Sequence, residues 1–120
     1  MKTISFNLPA PPSTNRIWRV SNNRVHKSTE YTTWLKDMAW IVIQQIGPRK
    51  QSEALQGPLS VTLVVHPSDG RNGRRDLDNS IKPVLDFMEH IRLIDNDRDV
   101  TRIIALKGDR KQRHHIEVTV

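Results

Sequence analysis

Apolar and polar residues alternate with a period of two in three segments of the chain, which predicts β-strands with one buried face. Pro9 ends the first segment and Pro67 the second, because proline cannot donate a backbone hydrogen bond to a neighbouring strand. A less regular apolar segment predicts a further strand. The predicted strands cover residues 4–8, 59–65, 102–106 and 116–120.

A helical period begins after Ser28, a residue type that caps helix N-termini, with Glu30 favourably placed in the first turn. The pattern ends at Gly47-Pro48, which predicts a helix of about five turns. Trp40 and Ile43 lie off the main apolar stripe, so a second side of the helix is also apolar. Either a partner subunit or packing within one subunit could cover that side.

A second helical period carries Leu77, Ile81, Leu85 and Met88. We expect this helix to start near Asn79, with Asp78 or Asn79 as its N-cap, because Pro83 is tolerated in a first turn and otherwise kinks a helix. Residues 68–75 combine turn formers with arginines and predict a mobile loop.

The pair Asn22-Asn23 lies in a polar, basic region and indicates a short hairpin or loop there. With the strands and helices above, it predicts an α+β (mixed α/β) fold. We expect a mixed sheet of about four to five strands packed with two main helices. At 120 residues the chain is most simply a single domain, residues 1–120.

The chain carries 19 Lys and Arg against 13 Asp and Glu, and only 5% of its residues are aromatic. This balance favours contacts with phosphate groups over base stacking, and so indicates nucleic acid as the partner. The absence of cysteine excludes disulfides and thiolate zinc sites. Neither a signal peptide nor an apolar segment long enough for a membrane span is found, so we expect a cytoplasmic protein with no membrane partner.

Two carboxylates, Asp76 and Asp78, follow Arg74-Arg75 in this basic chain. Carboxylates repel the polyanion that a basic surface attracts, and Mg²⁺ resolves the conflict by bridging carboxylates to phosphate oxygens. The cluster therefore suggests phosphodiester chemistry. Helix capping explains one Asp but not two, and ion pairs with the arginines are a further alternative, so the pair by itself leaves metal binding open.

Residues 95–99 form a second acidic cluster, Asp95-Asn96-Asp97-Arg98-Asp99. It begins like a calcium loop, but Val100 and Leu106 stand where that loop needs glycine and glutamate, which excludes an EF-hand. A polar turn explains the cluster by itself. If a crossover connection returned the chain beside Asp76 and Asp78, the cluster would supply a third carboxylate for a cation.

Lys82 follows Asp78 by one helical turn and so lies on the same face of the predicted helix. It could orient a carboxylate or contact the scissile phosphate. The alternative is an exposed ion pair with Asp86, worth roughly a few tenths of a kcal/mol. The D-x-K triplet that begins at Asp109 lies in a predicted basic turn and is treated as a coincidence.

Three segments together resemble the RusA family of Holliday junction resolvases: Pro11-Pro12-Ser13-Thr14-Asn15-Arg16, Arg74-Arg75-Asp76-Leu77-Asp78-Asn79-Ser80-Ile81-Lys82 and Asn96-Asp97-Arg98-Asp99-Val100. The segments occur in the family's order and span nearly the whole chain. The resemblance implies a homodimeric endonuclease that depends on Mg²⁺, with Mn²⁺ as a substitute. Its substrate would be four-way junction DNA, cut by paired incisions, as in bacteria and their phages or prophages.

The resemblance also assigns roles by position. The implied catalytic residues are Asp76, Asp78, Asp97 and Lys82, of which the three aspartates would bind the metal. Asn79 would support the site. The family often has an acidic pair ending on the third aspartate, whereas Asn96 precedes Asp97 here, so Asp95 is expected to tune the site from one position earlier.

Three basic regions supply the predicted DNA contacts. Their residues are Asn15, Arg16, Arg19, Arg24, Lys27, Arg71, Arg74, Arg75, Lys107, Arg110, Lys111 and Arg113. Two other functions stay open at this point. One is a noncatalytic DNA-binding protein whose acidic pair caps a helix, and the other is a metal-dependent nuclease for flaps or other branched DNA.

Overall fold

The computed structural model describes residues 3–11, 18–21, 23–48, 50–66, 73–108 and 115–120. Within these ranges the side chains of residues 18, 19, 21, 51, 73–76, 78, 79 and 115–118 lie outside the described part. The elements in chain order are β1 (Ser5–Pro9), β2 (Trp18–Ser21), β3 (Arg24–Lys27), α1 (Thr29–Ile46), β4 (Leu59–His66), α2 (Gly73–His90), β5 (Val100–Lys107) and β6 (His115–Thr119). Two one-turn 3₁₀ helices, Gln51–Glu53 and Asp97–Asp99, lie in the connections before β4 and β5.

Four of the strands in the described part of the chain form a mixed sheet in the order β1, β6, β4, β5. β4 pairs parallel with β5 and antiparallel with β6, which in turn pairs antiparallel with β1. β2 and β3 form a separate hairpin in which Ser21 pairs with Arg24 and Asn23 adopts a left-handed φ of 62°. The α+β architecture with two main helices is therefore confirmed.

The core lies between one face of the sheet and the two helices. Alternate residues of β1 and β4 are buried, as the period of two predicted. Phe87 of α2 joins the two helices to the sheet, since its ring centroid lies 6.0 Å from that of Phe6 and 5.8 Å from that of Trp34. Because β4 and β5 are parallel, α2 lies in the crossover connection that returns the chain from the end of β4 to the edge of the sheet where β5 begins, with Val100 opposite Leu59.

α1 begins and ends where the sequence predicted. The Ser28 hydroxyl accepts a hydrogen bond of 3.1 Å from the backbone N–H of Tyr31, and Gly47, with φ of 82°, ends the helix. Trp40 is 69% exposed, and Ile41 is exposed beside it. Ile43, the other residue off the main stripe, is partly buried, so the described residues leave Trp40 uncovered and both alternatives for this side of the helix stay open.

α2 begins at Gly73, so the predicted start near Asn79 is wrong. Arg74-Arg75, Asp76 and Asp78 lie inside the helix rather than in a loop or at its cap. This removes capping as an explanation of the acidic pair, because an N-cap residue precedes the first helical residue.

Pro83 accordingly lies inside α2 and not in its first turn. An interior proline costs about 3 kcal/mol, since it removes a hydrogen bond and crowds the preceding turn. Leu77 and Ile81 before it and Val84 after it pack against the core and stabilise the helix on both sides of the proline. Among the described residues, no helix is long and apolar enough to cross a membrane.

Candidate functional site

The ammonium group of Lys82 lies between two carboxylates. Its Nζ is 3.0 Å from Oδ1 of Asp86, four residues further along α2, and 3.0 Å from Oδ2 of Asp97, which begins the 3₁₀ turn before β5. The hydrogen bonds to Asp86 and then to Asp97 raise the pKa of Lys82 to about 12. Lys82 is therefore a fixed positive charge at neutral pH, although its side chain is 56% exposed.

A reversal of the chain after α2 brings Asp97 to Lys82. The helix carries the backbone about 12 Å beyond Lys82, at its usual rise per residue, before it ends at His90. Arg92 then adopts a left-handed φ of 63°, and the backbone N–H of Leu93 donates to the carbonyl of Met88. The following residues return alongside the helix and place Asp97 beside Lys82, while the distance of Asp97 from the carboxylates of Asp76 and Asp78 lies outside the described part.

Two hydrogen bonds fix the N-terminal end of the turn that contains Asp97. The backbone N–H of Asp97 donates a hydrogen bond of 2.6 Å to Oε1 of Glu89, and Oδ1 of Asn96 accepts one of 2.9 Å from the backbone N–H of Arg98. Asn96 thus caps the turn, which gives this departure from the family pattern a structural role. Asp95 is exposed, and its side chain forms no hydrogen bond or ion pair with the described residues, so its tuning role stays a prediction.

The ion pair between Lys82 and Asp86 does form, but the expectation that it is exposed is wrong. The Asp86 side chain is only 8% exposed, because α2 turns this position towards α1. Its Oδ2 accepts a hydrogen bond of 2.8 Å from the hydroxyl of Tyr31. Burial, followed by the hydrogen bond to Asp86, raises the pKa of Tyr31 far above its usual value.

Sequence reasoning missed three residues that shape this site: Tyr31, Asp86 and Glu89. Asp86 carried a signal, its spacing of four from Lys82, but nothing in the spacing indicated burial. Tyr31 was assigned only to the apolar stripe of α1, although a buried tyrosine usually finds a partner for its hydroxyl. That partner lies 55 residues away, so the chain order alone could not identify it.

The basic hairpin reaches the same region. The Nζ of Lys27, at the end of β3, lies 5.7 Å from the centroid of the Tyr31 ring. Burial, and then the charge of Lys27, lower the pKa of His90 at the end of α2. Of the predicted DNA contacts, Lys27 is therefore placed beside the site, while Arg24 in β3 and Lys107 in β5 are also exposed.

For the other predicted site residues, the structure describes either the backbone alone or nothing. Asp76, Asp78, Asn79, Arg74 and Arg75 belong to the first turns of α2, and Arg19 to β2, but their side chains lie outside the described part. The remaining residues, with the D-x-K triplet, lie outside the described residues altogether: Asn15, Arg16, Arg71, Asp109, Arg110, Lys111 and Arg113. The roles assigned to both groups stay predictions.

Of the three predicted metal ligands, only Asp97 has its side chain described, so the metal assignment stays a prediction. The Asp97 carboxylate is 34% exposed and already interacts with a positive charge, that of Lys82. Asp78 precedes Lys82 by one turn of the same helix, and carboxylate oxygens are the ligands that Mg²⁺ prefers. Among the side chains that the structure describes, no group of three His, Asp or Glu could hold a metal.

Comparison with known proteins places the chain in a family. The family model described as endodeoxyribonuclease RusA matches residues 9–120. A crossover junction endodeoxyribonuclease of Enterobacteria phage HK97 is 30% identical over 108 residues, which cover 90% of this chain and 85% of the relative. The protein of that name from Escherichia coli strain K12 is 30% identical over 100% of this chain and 95% of its own length. The chain therefore belongs to the RusA family of endodeoxyribonucleases.

Proposed function

We propose that this protein is a crossover junction endodeoxyribonuclease, which resolves four-way DNA junctions by hydrolysing phosphodiester bonds in paired strands. The observation that carries the proposal is the contact of 3.0 Å between Lys82 and Asp97. It brings together two residues that the family resemblance marks as catalytic and that lie 15 positions apart in the chain. The names of the relatives supply the substrate, a DNA crossover junction.

The proposed reaction depends on Mg²⁺, with Mn²⁺ as a substitute. Asp76, Asp78 and Asp97 would hold the ion, which when bound would activate a water and stabilise the attacking and leaving oxygens. Lys82, a permanent cation on the exposed side of α2, would donate hydrogen bonds to a phosphate oxygen and offset the charge that grows on it. Lys27 and the other basic residues would hold the DNA backbone.

Paired incision requires two active sites, which a two-fold symmetric dimer supplies. The exposed apolar side of α1 at Trp40 and Ile41 supports a homodimer, since a partner subunit would remove both side chains from water. We also propose that the protein acts in the cytoplasm, where bacterial and phage DNA is processed.

The test incubates the protein with a labelled four-way junction, a flap and a linear duplex, with and without Mg²⁺. Paired cuts confined to the junction in the presence of Mg²⁺ are expected. Binding without cutting would instead identify a noncatalytic DNA-binding protein, and equal cutting of flaps would identify a nuclease for branched DNA in general.

The Asp76→Asn variant tests the metal assignment in the same assay. It should lose cleavage and keep or strengthen junction binding, because a negative charge facing phosphate has been removed. A variant that still cuts in Mg²⁺ would refute the role of Asp76 as a ligand.

A further inference from the structure

Asp86 is a buried carboxylate whose two oxygens contact different partners. Oδ2 accepts from the Tyr31 hydroxyl at 2.8 Å, and Oδ1 lies 3.0 Å from Nζ of Lys82. Asp86 and Lys82 differ in exposure: the Asp86 side chain is 8% exposed and the Lys82 side chain is 56% exposed. A fixed, buried anion therefore holds an ammonium group that DNA could reach.

Tyr31 makes this anion rigid. Its ring is fully buried and stacked on Trp34, with 6.0 Å between ring centroids and 15° between ring planes. Its backbone N–H is bound by the Ser28 cap at the start of α1. Because the ring and the backbone of Tyr31 are both fixed, its hydroxyl favours one orientation of the Asp86 carboxylate.

Lys82 needs such an anchor because its other partner is itself a proposed metal ligand. A lysine side chain is a point charge on a flexible four-carbon stem, which loses entropy when it is held in one place. A cation bound to Asp97 would repel the ammonium group, and Asp97 alone could then no longer hold it. Asp86 lies on the same helix as Lys82 and would keep the ammonium in position.

We propose that Asp86, oriented by Tyr31, is the positioning residue that holds Lys82 in place for its role at the scissile phosphate. The inference rests on the proposed function, since it assigns a task to the lysine of that site. It predicts that the rate of the chemical step, and not DNA affinity, depends on Asp86. A structural role alone would instead make Asp86 matter for folding and leave the rate of folded protein unchanged.

The first experiment is a double-mutant cycle under single-turnover conditions, with the four-way junction prebound and Mg²⁺ added to start cleavage. Asp86→Asn should slow cleavage by about 10- to 100-fold, the cost of a misplaced catalytic group, with junction affinity unchanged. In a Lys82→Ala background the same substitution should have no further effect, because it acts through the lysine. If Asp86→Asn slows the Lys82→Ala protein by the same factor as it slows the wild type, Asp86 does not act through Lys82.

Two further variants test whether poor folding or the loss of any carboxylate explains a slower rate in Asp86→Asn. Tyr31→Phe keeps the buried ring and removes only the hydroxyl, so it should show a smaller loss in the same direction even if Asp86→Asn folds poorly. Asp37→Asn makes the same chemical change at an exposed position of α1 and should cleave at the wild-type rate. A wild-type rate for Tyr31→Phe would remove Tyr31 from the proposal.

The second experiment needs no cleavage, so it separates this inference from the proposed function. The ¹⁵N signal of the Lys82 ammonium, identified by its loss in Lys82→Ala, is recorded by NMR without DNA or metal in Asp97→Asn, which leaves Asp86 as the carboxylate partner of Lys82 among the described residues. The signal should persist in Asp97→Asn, whereas it should broaden or vanish in the double variant Asp86→Asn/Asp97→Asn. An equally persistent signal in the double variant would overturn the inference, and a wild-type protein that cannot cut junctions would overturn only the proposed function.

Discussion

The hydroxyl of Tyr31 and the carboxylate of Asp86 form a buried hydrogen bond that joins α1 to α2 across 55 residues of the chain. Apolar packing alone fixes the distance between two helices more firmly than their rotation or register. A short hydrogen bond between single atoms constrains both, provided that its partners are fixed. The bond therefore couples the helix beside the basic hairpin to the helix that carries Lys82.

The first prediction concerns the ionisation of Tyr31, the single tyrosine in the chain. Burial and the hydrogen bond to Asp86 raise its pKa, so the phenol should stay protonated well above pH ~10, where an unfolded tyrosine ionises. The stabilisation is then fully present below pH ~10 and is lost as the pH rises towards the folded-state pKa. Tyrosinate absorbance should therefore appear only together with unfolding, as followed by circular dichroism.

The matched variant for this titration is Asp86→Asn. It removes the carboxylate and leaves burial, the larger cause, in place, so the pKa of Tyr31 should fall but stay above its usual value. Tyrosinate that forms near pH ~10 in the folded wild-type protein would contradict the hydrogen bond.

The second prediction concerns stability. Asp86→Ala should lower the free energy of unfolding by about 1–3 kcal/mol, because it removes the Asp86 carboxylate that accepts from the buried Tyr31 hydroxyl. The larger loss of about 3–5 kcal/mol for breaking a buried ion pair does not apply, because Lys82 is exposed and keeps Asp97. Urea denaturation at an unchanged m-value measures the difference.

Asp37→Ala is the control for that measurement, because it removes an exposed carboxylate from a helix and should change stability by less than about 0.5 kcal/mol. Equal losses in both variants would mean that the contact between Tyr31 and Asp86 adds nothing to stability.

The elements that follow from local patterns could be predicted from the sequence. The Ser28 cap, the Gly47 end of α1 and the alternation in β1 and β4 each depend on residues within one segment. The start of α2 could not be predicted in this way. Pro83 argued for a late start, whereas the partly buried Leu77 and Ile81 pack against the core before the proline, and this packing depends on the rest of the fold.

The same division holds for the candidate site. The family resemblance marked Lys82 and Asp97, and the structure places their side chains in contact. Asp86 was recognised only as a neighbour of Lys82 in spacing, because its burial depends on α1. Glu89, which binds the backbone of Asp97, was missed since the reversal at Arg92 that brings them together has no simple sequence pattern.

The third prediction separates Asp97 from Asp95. Asp97→Asn should abolish Mg²⁺-dependent junction cleavage, because the amide is a weaker metal ligand and a weaker partner for Lys82. Asp95→Asn should keep cleavage within a few-fold of the wild-type rate, since Asp95 is exposed and has no contact with the described part of the site. Single-turnover assays on prebound junction measure both rates. If Asp95→Asn loses cleavage and Asp97→Asn keeps it, Asp95 and not Asp97 is the third metal ligand.

The fourth prediction tests Lys27 as a DNA contact. Lys27→Ala should weaken junction binding and lower the slope of log Kd against log salt concentration by about one, the effect of one lost phosphate contact. Lys36→Ala removes an exposed lysine from α1 and should leave the slope unchanged. Fluorescence anisotropy titrations over a range of salt concentrations measure the slope. An unchanged slope for Lys27→Ala would place DNA away from the hairpin.

The last prediction concerns the exposed side of α1 as the proposed subunit interface. Trp40→Glu should convert the dimer into a monomer, because it places a charge in an apolar contact that excludes water. The fold itself should survive, since Trp40 is 69% exposed and substitutions at such sites usually change stability by less than about 0.5 kcal/mol. Sedimentation velocity measures the change in mass, and circular dichroism checks the fold.

Gln56→Glu adds the same charge at an exposed position outside α1, in the connection before β4, and serves as the control. It should remain dimeric if the interface is centred on Trp40. The monomeric Trp40→Glu protein should also lose paired incision, because one active site cannot cut two strands at once. If Trp40→Glu stays dimeric, the subunit interface lies on another surface. If the wild-type protein is a monomer on junction DNA, the proposed dimer is excluded.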